Sequence, residues 1–126
     1  MIATVLVVDD DQMVRRLAAR MLTLEGYYVL EASGGEAALR ILQRFANRIR
    51  LVVTDLAMPG LDGRNLGGVI SRCWPQVRVL YMSGYPAARM LDAGALETGW
   101  PFIQKPFTAE QLGRKVRELL AETPAQ

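Results

Sequence analysis

The sequence contains no histidine, and this absence removes several classes of function. Imidazole is the commonest general base of enzymes and a frequent ligand of transition metals. Catalytic triads, Cys/His nucleophiles and histidine-based zinc sites are therefore excluded. The single cysteine, Cys73, has no partner for an internal disulfide, and this predicts a reducing, cytoplasmic setting.

The sequence also has little excess of one charge sign over the other, and it has no long apolar run. The 15 Lys+Arg and 13 Asp+Glu residues give a formal charge of +2, which is too small to indicate nucleic acid or an anionic membrane as a direct partner. No run approaches about 18 consecutive apolar residues, so no membrane span is expected. Residues 1–8 lack a basic leader, and we expect no signal peptide there. A chain of 126 residues is nevertheless long enough to bury an apolar core.

Short apolar segments alternate with amphipathic ones along the chain. Apolar residues at helical spacing predict four helices, and an alanine-rich segment at 86–96 predicts another. The alternation predicts an α/β domain with a doubly wound parallel sheet. We expect this domain to cover residues 1–121, followed by a flexible tail or severed linker at 122–126. Five apolar runs are predicted as strands, at 2–8, 27–32, 50–54, 77–82 and 102–104.

Three segments carry the signals of a helix start. Asp11 stands directly before the first amphipathic stripe and is predicted to cap that helix. Ser33 to Glu36 and Thr108 to Gln111 have the spacing of a capping box, in which two side chains pair reciprocally with the backbone.

Polar side chains follow four of the predicted strands. Acids at 9–11 follow the first strand, Asp55 the third, Ser83 the fourth and Lys105 the fifth. In a doubly wound sheet, ligands bind beyond the carboxyl ends of the strands, which share one edge. Two carboxylates about 4 Å apart repel by about 4 kcal/mol at an effective dielectric of about 20, so converging acids require a cation or a proton between them. An all-oxygen ligand set favours Mg²⁺, with Mn²⁺ as an alternative, and Asp9 and Asp10 are the predicted ligands together with Asp55.

Asp55 and Lys105 are the residues expected to carry the chemistry. Asp55 leaves a buried strand for a Pro/Gly loop that offers its carboxylate few partners. A carboxylate can attack phosphorus and form an aspartyl phosphate. Lys105 is one of only two lysines, and a compact ammonium suits phosphoryl oxygens. These two residues predict phosphoryl transfer.

Four motifs stand where the predicted strands end. They are Val7-Val8-Asp9-Asp10, Asp55-Leu56-Ala57-Met58-Pro59 followed by Asp62-Gly63, Met82-Ser83-Gly84, and Lys105-Pro106-Phe107. In these motifs the chain resembles the receiver domains of two-component response regulators, including the chemotaxis regulator. The motifs occur in the family's order over about residues 2–120, and together they are specific. The resemblance implies a five-stranded parallel sheet in the flavodoxin-like order 2-1-3-4-5 with five helices.

The resemblance also implies roles for individual residues. Asp55 would accept a phosphoryl group from a phosphohistidine, on a histidine kinase or a histidine phosphotransfer domain. Asp9, Asp10, Asp55 and the backbone carbonyl of Ala57 would hold magnesium. Lys105 would pair with the phosphoryl group, and its bond to the following proline is cis in the family.

A second set of residues would report or modulate the phosphorylated state. The resemblance implies that Ser83 hydrogen-bonds to the phosphoryl group and that Phe102 is the switch aromatic, without the hydroxyl that is common there. The surface of the fourth helix, fifth strand and fifth helix would then contact a downstream protein or another module of the same chain. Tyr85 is large and Ala57 is small. We predict that Tyr85 partly screens the acyl phosphate from water.

Other functions stay open from the sequence. An Asp-x-Asp run after the first strand is also typical of haloacid-dehalogenase-like phosphatases, although the loop at Lys105 lacks their late acidic pair. A flavodoxin-like nucleotide or flavin binder would place a glycine-rich cradle where this chain has acids. A pseudo-receiver used only for docking is a further alternative. The chain is predicted to be a phosphoacceptor signalling domain, capable only of self-phosphorylation and slow self-dephosphorylation. It can equally be a receiver cut from a hybrid sensor kinase or a longer regulator.

Overall fold

The computed structural model describes residues 2–122 as strands and helices in strict alternation. All five strands are parallel and lie in the order β2-β1-β3-β4-β5. The predicted fold class, strand order and five helices are therefore confirmed. None of the helices in the described part of the chain is long and apolar enough to cross a membrane. The elements are β1 (Thr4–Val8), α1 (Gln12–Leu24), β2 (Tyr28–Ala32), α2 (Gly35–Phe45), β3 (Ile49–Asp55), α3 (Gly63–Cys73), β4 (Arg78–Ser83), α4 (Ala87–Asp92), β5 (Phe102–Gln104) and α5 (Ala109–Ala121).

The sheet is buried on both faces, which is why its strands appear as continuous apolar runs. One apolar cluster joins β1 and β3 to α1 and α5, and includes Leu22 and Leu112. The other joins the same strands to α2 and α3, and includes Leu42 and Ile70. Burying each such side chain contributes about 1.5–3 kcal/mol. The carboxyl ends of the central strands are therefore a rigid platform for the polar residues that follow them.

The fourth helix is shorter than the sequence predicted. Segment 86–96 was expected to be helical, but α4 ends at Asp92, and Gly94 adopts a left-handed conformation with φ of 75°. A positive φ favours glycine and commonly ends a helix. Leu96 is then buried in a small cluster with Leu56 and Tyr81. Among the described helices α4 is the one that contains no buried residue, so it has less buried apolar contact than the others.

The predicted caps are confirmed at α1 and α5. Asp11 accepts hydrogen bonds from the N–H groups of Met13 and Val14, at 3.0 and 3.3 Å. Thr108 and Gln111 form the complete reciprocal capping box of α5. Both helices thus begin where local side-chain chemistry satisfies otherwise unpaired N–H groups.

The capping box predicted for α2 is wrong. The helix begins at Gly35 with Gly34 as its N-cap, so Ser33 lies outside the helix and Glu36 is one residue too early to complete the box. The Glu36 carboxylate instead accepts a hydrogen bond from the Leu61 N–H at 3.0 Å. It therefore connects α2 to the β3–α3 loop.

The predicted tail begins at residue 122, and only its first residue is described. Glu122 forms an ion pair with Arg78 at the start of β4. Residues 123–126 lie outside the described part of the chain, so the flexible tail or severed linker stays a prediction there.

Two adjacent glycines in α3 offer a matched test of packing. A Cβ on Gly67 would collide with the hydroxyl of Tyr81, whereas a Cβ on Gly68 meets nothing closer than Arg72 at 3.6 Å. Tyr81 is buried and stacks on Trp100 with ring centroids 4.8 Å apart, so it cannot easily move aside. We expect Gly67→Ala to lower the free energy of unfolding by about 1–3 kcal/mol. Gly68→Ala should raise it by about 0.5–1 kcal/mol through helix propensity. Urea unfolding measures both, and equal changes would show that Tyr81 does not restrict position 67.

Candidate functional site

Three carboxylates meet at the carboxyl ends of β1 and β3. Asp9, Asp10 and Asp55 each place an oxygen atom within 4.8 Å of the others. The two strands are neighbours in parallel register, with Val8 beside Thr54, so the residues that follow them leave the sheet at the same level. Asp9 is completely buried and Asp55 nearly so, while Asp10 is exposed. The structure thus brings together the three acids that the sequence predicted to converge.

Lys105 places its ammonium between two of these acids. Its Nζ lies 2.9 Å from Oδ2 of Asp9 and 3.3 Å from Oδ2 of Asp55. The Lys105–Pro106 peptide is cis. The Lys105 backbone N–H donates to the Ser83 carbonyl at 2.7 Å and joins the β5–α5 loop to the end of β4. Lys105 therefore connects the acidic cluster to its own β5–α5 loop and to the end of β4.

Burial and charge shift the pKa of two groups in the site. Burial raises the pKa of the Asp55 carboxyl and the charge of Asp9 adds to this rise, against the attraction of Lys105. Burial alone would lower the pKa of Lys105, but its hydrogen bond to Asp9 and the charge of Asp55 outweigh that effect and raise this pKa. Lys105 is therefore charged at neutral pH. One ammonium does not balance three carboxylates, and the cluster attracts a further cation.

The oxygen atoms of the cluster fit a hard divalent metal ion. Both carboxylate oxygens of Asp9 already accept a hydrogen bond. Oδ1 accepts from the Asp11 N–H at 3.0 Å, and Oδ2 accepts from the Lys105 ammonium. Asp10 is exposed and can turn its carboxylate to an ion together with Asp55. A few carboxylates with room for water are the ligands that Mg²⁺ prefers. The cluster can therefore hold a metal ion, and the exposed Ala57 is next to it, because its backbone N–H hydrogen-bonds to Asp55.

Ser83 and Tyr85 lie at the end of β4, next to the acidic cluster. Ser83 is buried, and its Oγ accepts a hydrogen bond from the Tyr85 N–H at 3.0 Å. Within residues 2–122 the Ser83 hydroxyl makes no hydrogen bond to a carboxylate, so its proton is available to another acceptor. The Tyr85 ring is 51% exposed and lies under Arg89, with the guanidinium carbon 4.7 Å from the ring centroid.

Phe102 lies on β5, two strands away from the strand that carries Asp55. Its ring is half-buried against the small cluster of Leu56, Tyr81 and Leu96 beside α4. In the sheet it pairs directly with Tyr81. This position places Phe102 between β5 and the α4 region, and its role as a switch residue stays a prediction.

Arg15 contacts the site but was not identified from the sequence. Its Nη1 donates to the backbone carbonyl of Asp9 at 3.0 Å, and its Nε donates to Glu31 at 3.1 Å. In the sequence Arg15 is one of several arginines on the polar face of α1. Its one distinguishing signal is its place four residues after Asp11, where the first helical turn returns toward the end of β1.

A parallel sheet in the order 2-1-3-4-5, with acids and a lysine at its carboxyl edge, defines the class of CheY-like signalling domains. Residues 5–117 match the family described as response regulator receiver domain. The chain belongs to this family and is a receiver domain of two-component systems. It is accordingly a signalling domain rather than an enzyme in the classical sense.

Known relatives of this chain include kinases and regulators. The sensor kinase CckA of Brucella abortus is 37% identical over 121 residues, which cover 94% of this chain and 12% of the kinase. The response regulator protein FleR of Pseudomonas aeruginosa is 36% identical over 112 residues, covering 89% of this chain and 23% of FleR. The crystal structure of the receiver domain of NtrX from Brucella abortus has a TM-score of 0.83 at 31% identity, covering 94% of this chain and 99% of that domain. The chain thus spans a small part of full-length CckA and FleR.

Proposed function

We propose that this receiver domain accepts a phosphoryl group on Asp55 from a phosphohistidine. The position of Lys105 carries this proposal, since its ammonium lies 3.3 Å from the Asp55 carboxylate, where phosphoryl oxygens on Asp55 would be neutralised. The sequence contains no histidine, so these residues cannot supply the phosphohistidine themselves. The phosphohistidine therefore arrives on a histidine kinase or a histidine phosphotransfer domain.

The chemistry needs a nucleophile and neutralised charge, and the site offers both. The P–N bond to the donor imidazole breaks as a P–O bond forms to an oxygen of Asp55, and the imidazole leaves with the electron pair. Asp55 attacks as the carboxylate, so no general base is required. Mg²⁺ or Mn²⁺ bound by Asp9, Asp10, Asp55 and the Ala57 carbonyl would neutralise negative charge on the phosphoryl oxygens.

Two side chains would hold the phosphoryl group once it is on Asp55. The Lys105 ammonium would then pair with a phosphoryl oxygen instead of the Asp55 carboxylate. The Ser83 hydroxyl, whose proton is uncommitted within residues 2–122, would donate to another after a small shift of its loop. Self-phosphorylation from a small phosphodonor and slow self-dephosphorylation follow from the same set of groups.

The output would be a shift in population of the α4-β5-α5 surface. The hydrogen bond from the Lys105 N–H to the Ser83 carbonyl connects the phosphorylation site to both loops that border this surface. The α4 helix buries no residue, so it can move at small cost. Phe102 has no hydroxyl, and its part in the switch would be a change in packing. A downstream protein, or another module of the same chain, would bind this surface.

The similarity to CckA and FleR supports a second possibility for the whole protein. Both relatives are several times longer than the part that this chain matches. The domain can therefore work inside a hybrid sensor kinase or a longer regulator, where kinase or other activity would belong to the remaining parts. The proposed cytoplasmic location rests on the lone Cys73, and no direct contact with nucleic acid or membrane is proposed for this domain.

Incubation with acetyl phosphate and Mg²⁺, followed by intact mass measurement, tests the proposed function. The native protein should gain one phosphoryl group, and chelation of the metal should prevent this. A phosphorylated histidine phosphotransfer domain serves as a second donor. Failure with both donors would contradict the proposal, while steady turnover of a generic phosphate ester would favour the phosphatase alternative.

Tyr85 is predicted to prolong the phosphorylated state. Its backbone N–H donates to the Ser83 hydroxyl oxygen, which keeps the residue next to the end of β4, and Arg89 restricts its ring. We expect Tyr85→Ala to shorten the lifetime of the phosphorylated form several-fold, because water reaches the acyl phosphate more easily. Timed intact mass measurements after removal of acetyl phosphate give the lifetimes, and Tyr85→Phe should match the native protein. An unchanged lifetime in Tyr85→Ala would remove the screening role.

A further inference from the structure

Arg15 ties the β1–α1 turn to the neighbouring strand β2. One nitrogen of its guanidinium donates to the Asp9 carbonyl at 3.0 Å and another to the Glu31 carboxylate at 3.1 Å. The Arg15 side chain is only 13% exposed, although it lies on the first turn of a surface helix. A charged donor is thereby held on one particular backbone oxygen next to the acidic cluster.

That oxygen belongs to the peptide that joins Asp9 to Asp10. The Asp10 side chain makes no hydrogen bond within residues 2–122, so its direction depends on the backbone that carries it. The peptide group is planar, and holding its oxygen in place also orients its plane and the Cα that follows. The contact from Arg15 therefore fixes the peptide from which the Asp10 side chain extends.

The other polar groups of Asp9 are paired as well. Its N–H donates to the Ala32 carbonyl at 3.2 Å, and its carboxylate accepts from Asp11 and Lys105. The bond from the Asp11 N–H spans the Asp9–Asp10 peptide and limits its rotation, and the contact from Arg15 adds a direct hold on the peptide oxygen. Within residues 2–122 the hydrogen bond from Arg15 is the only one that a side chain donates to the Asp9 carbonyl.

We propose that Arg15 is a positioning residue for the metal site. It holds the Asp9–Asp10 peptide so that the Asp10 carboxylate faces Asp55, and Glu31 holds the guanidinium in that place. This role rests on the proposed function, because the metal site formed by the three acids is part of it. Groups that orient metal ligands commonly change metal affinity about 10–100-fold when they are removed.

A positioning role and a purely electrostatic role predict changes of opposite sign. Removal of a positive charge beside three carboxylates would make the site more negative and tighten the binding of a divalent cation. Loss of the hydrogen bond to the Asp9 carbonyl would let the peptide rotate and weaken that binding. Arg16 is exposed and has no ion pair within residues 2–122, so Arg16→Gln removes the same charge without the contact.

Titration calorimetry with Mg²⁺ compares the native protein with both arginine variants. We expect the Kd of Arg15→Gln to rise about tenfold, and that of Arg16→Gln to stay unchanged or fall slightly. Glu31→Gln should raise the Kd by a smaller factor, and the double variant of Arg15 and Glu31 should bind no more weakly than Arg15→Gln alone. Arg15→Lys, which keeps the charge but not the forked geometry, should recover only part of the affinity. If Arg15→Gln does not fold, Arg15→Lys decides the question, because it keeps the charge: an affinity equal to that of the native protein would overturn the positioning role.

The native measurement separates failure of this role from failure of the proposed function. Absence of Mg²⁺ binding by the native protein would overturn both. If the native protein binds Mg²⁺ and Arg15→Gln binds it as tightly as Arg16→Gln, only the positioning role of Arg15 is overturned. Unfolding curves of each variant confirm that the Kd is measured on folded protein.

Discussion

Asp55→Asn should gain no phosphoryl group from acetyl phosphate and Mg²⁺ under conditions in which the native protein gains one. The amide has nearly the same shape as the carboxylate but offers no anionic oxygen to attack phosphorus. Lys105 keeps its closer partner, since its Nζ lies 2.9 Å from Asp9. The loss is therefore a loss of the nucleophile in a site that is otherwise retained. Intact mass measurement after a fixed incubation gives the result directly.

Asp62→Asn is the matched control for this variant. Asp62 lies in the same β3–α3 loop, and its Oδ1 caps α3 by accepting the Asn65 N–H at 2.9 Å. Asparagine caps helices about as well as aspartate, so the loop should keep its conformation. The control should be phosphorylated like the native protein. Phosphorylation of Asp55→Asn at the native level would overturn the assignment of the acceptor.

The sequence was sufficient to predict which residues would share the site. In a parallel sheet all carboxyl ends meet at one edge, so the strand that each polar residue follows determines its neighbours. This rule alone predicts that Asp9, Asp55 and Lys105 lie together. The strands were equally predictable, since burial on both faces produced apolar runs that differ clearly from the helical stripes.

Contacts between side chains of different elements were not predictable in the same way. Arg15 has the same local pattern as its exposed neighbour Arg16, and only the path of β2 gives it Glu31 as a partner. Glu36 has the spacing of a capping box, but the β3–α3 loop brings the Leu61 N–H within 3.0 Å and the helix starts one residue later. Such choices depend on tertiary packing that local sequence does not encode.

The length of α4 depends on packing of the same kind. Its alanine-rich sequence favours a longer helix, and Gly94 alone does not show where the chain turns. Burial of Leu96 against Tyr81 and Trp100 draws the chain back to the sheet after Asp92. Sequence patterns therefore located α4 in the chain but not the residue at which it ends.

Lys105→Met should lower the free energy of unfolding of the metal-free protein by about 3–5 kcal/mol. Asp9 is completely buried and the Asp55 side chain is 12% exposed, and both lose their ammonium partner. Methionine fills a similar volume, so the loss comes from unpaired buried carboxylates rather than from a cavity. Burial already raises the pKa of Asp55 in the native protein, and loss of Lys105 raises it further. The folded variant then binds protons more readily than its unfolded chain, so the deficit should shrink as the pH is lowered.

Mg²⁺ distinguishes this charge effect from a general loss of packing. A divalent cation replaces the missing positive charge, so Mg²⁺ should restore more stability to Lys105→Met than it adds to the native protein. The other lysine of the chain, Lys115, is on α5 and forms no ion pair within residues 2–122. Lys115→Met should therefore change the free energy of unfolding by no more than about 0.5 kcal/mol, with or without metal. Urea unfolding with and without Mg²⁺ measures all three proteins, and a loss in Lys105→Met that is independent of Mg²⁺ would show that the ammonium does not balance the acidic cluster.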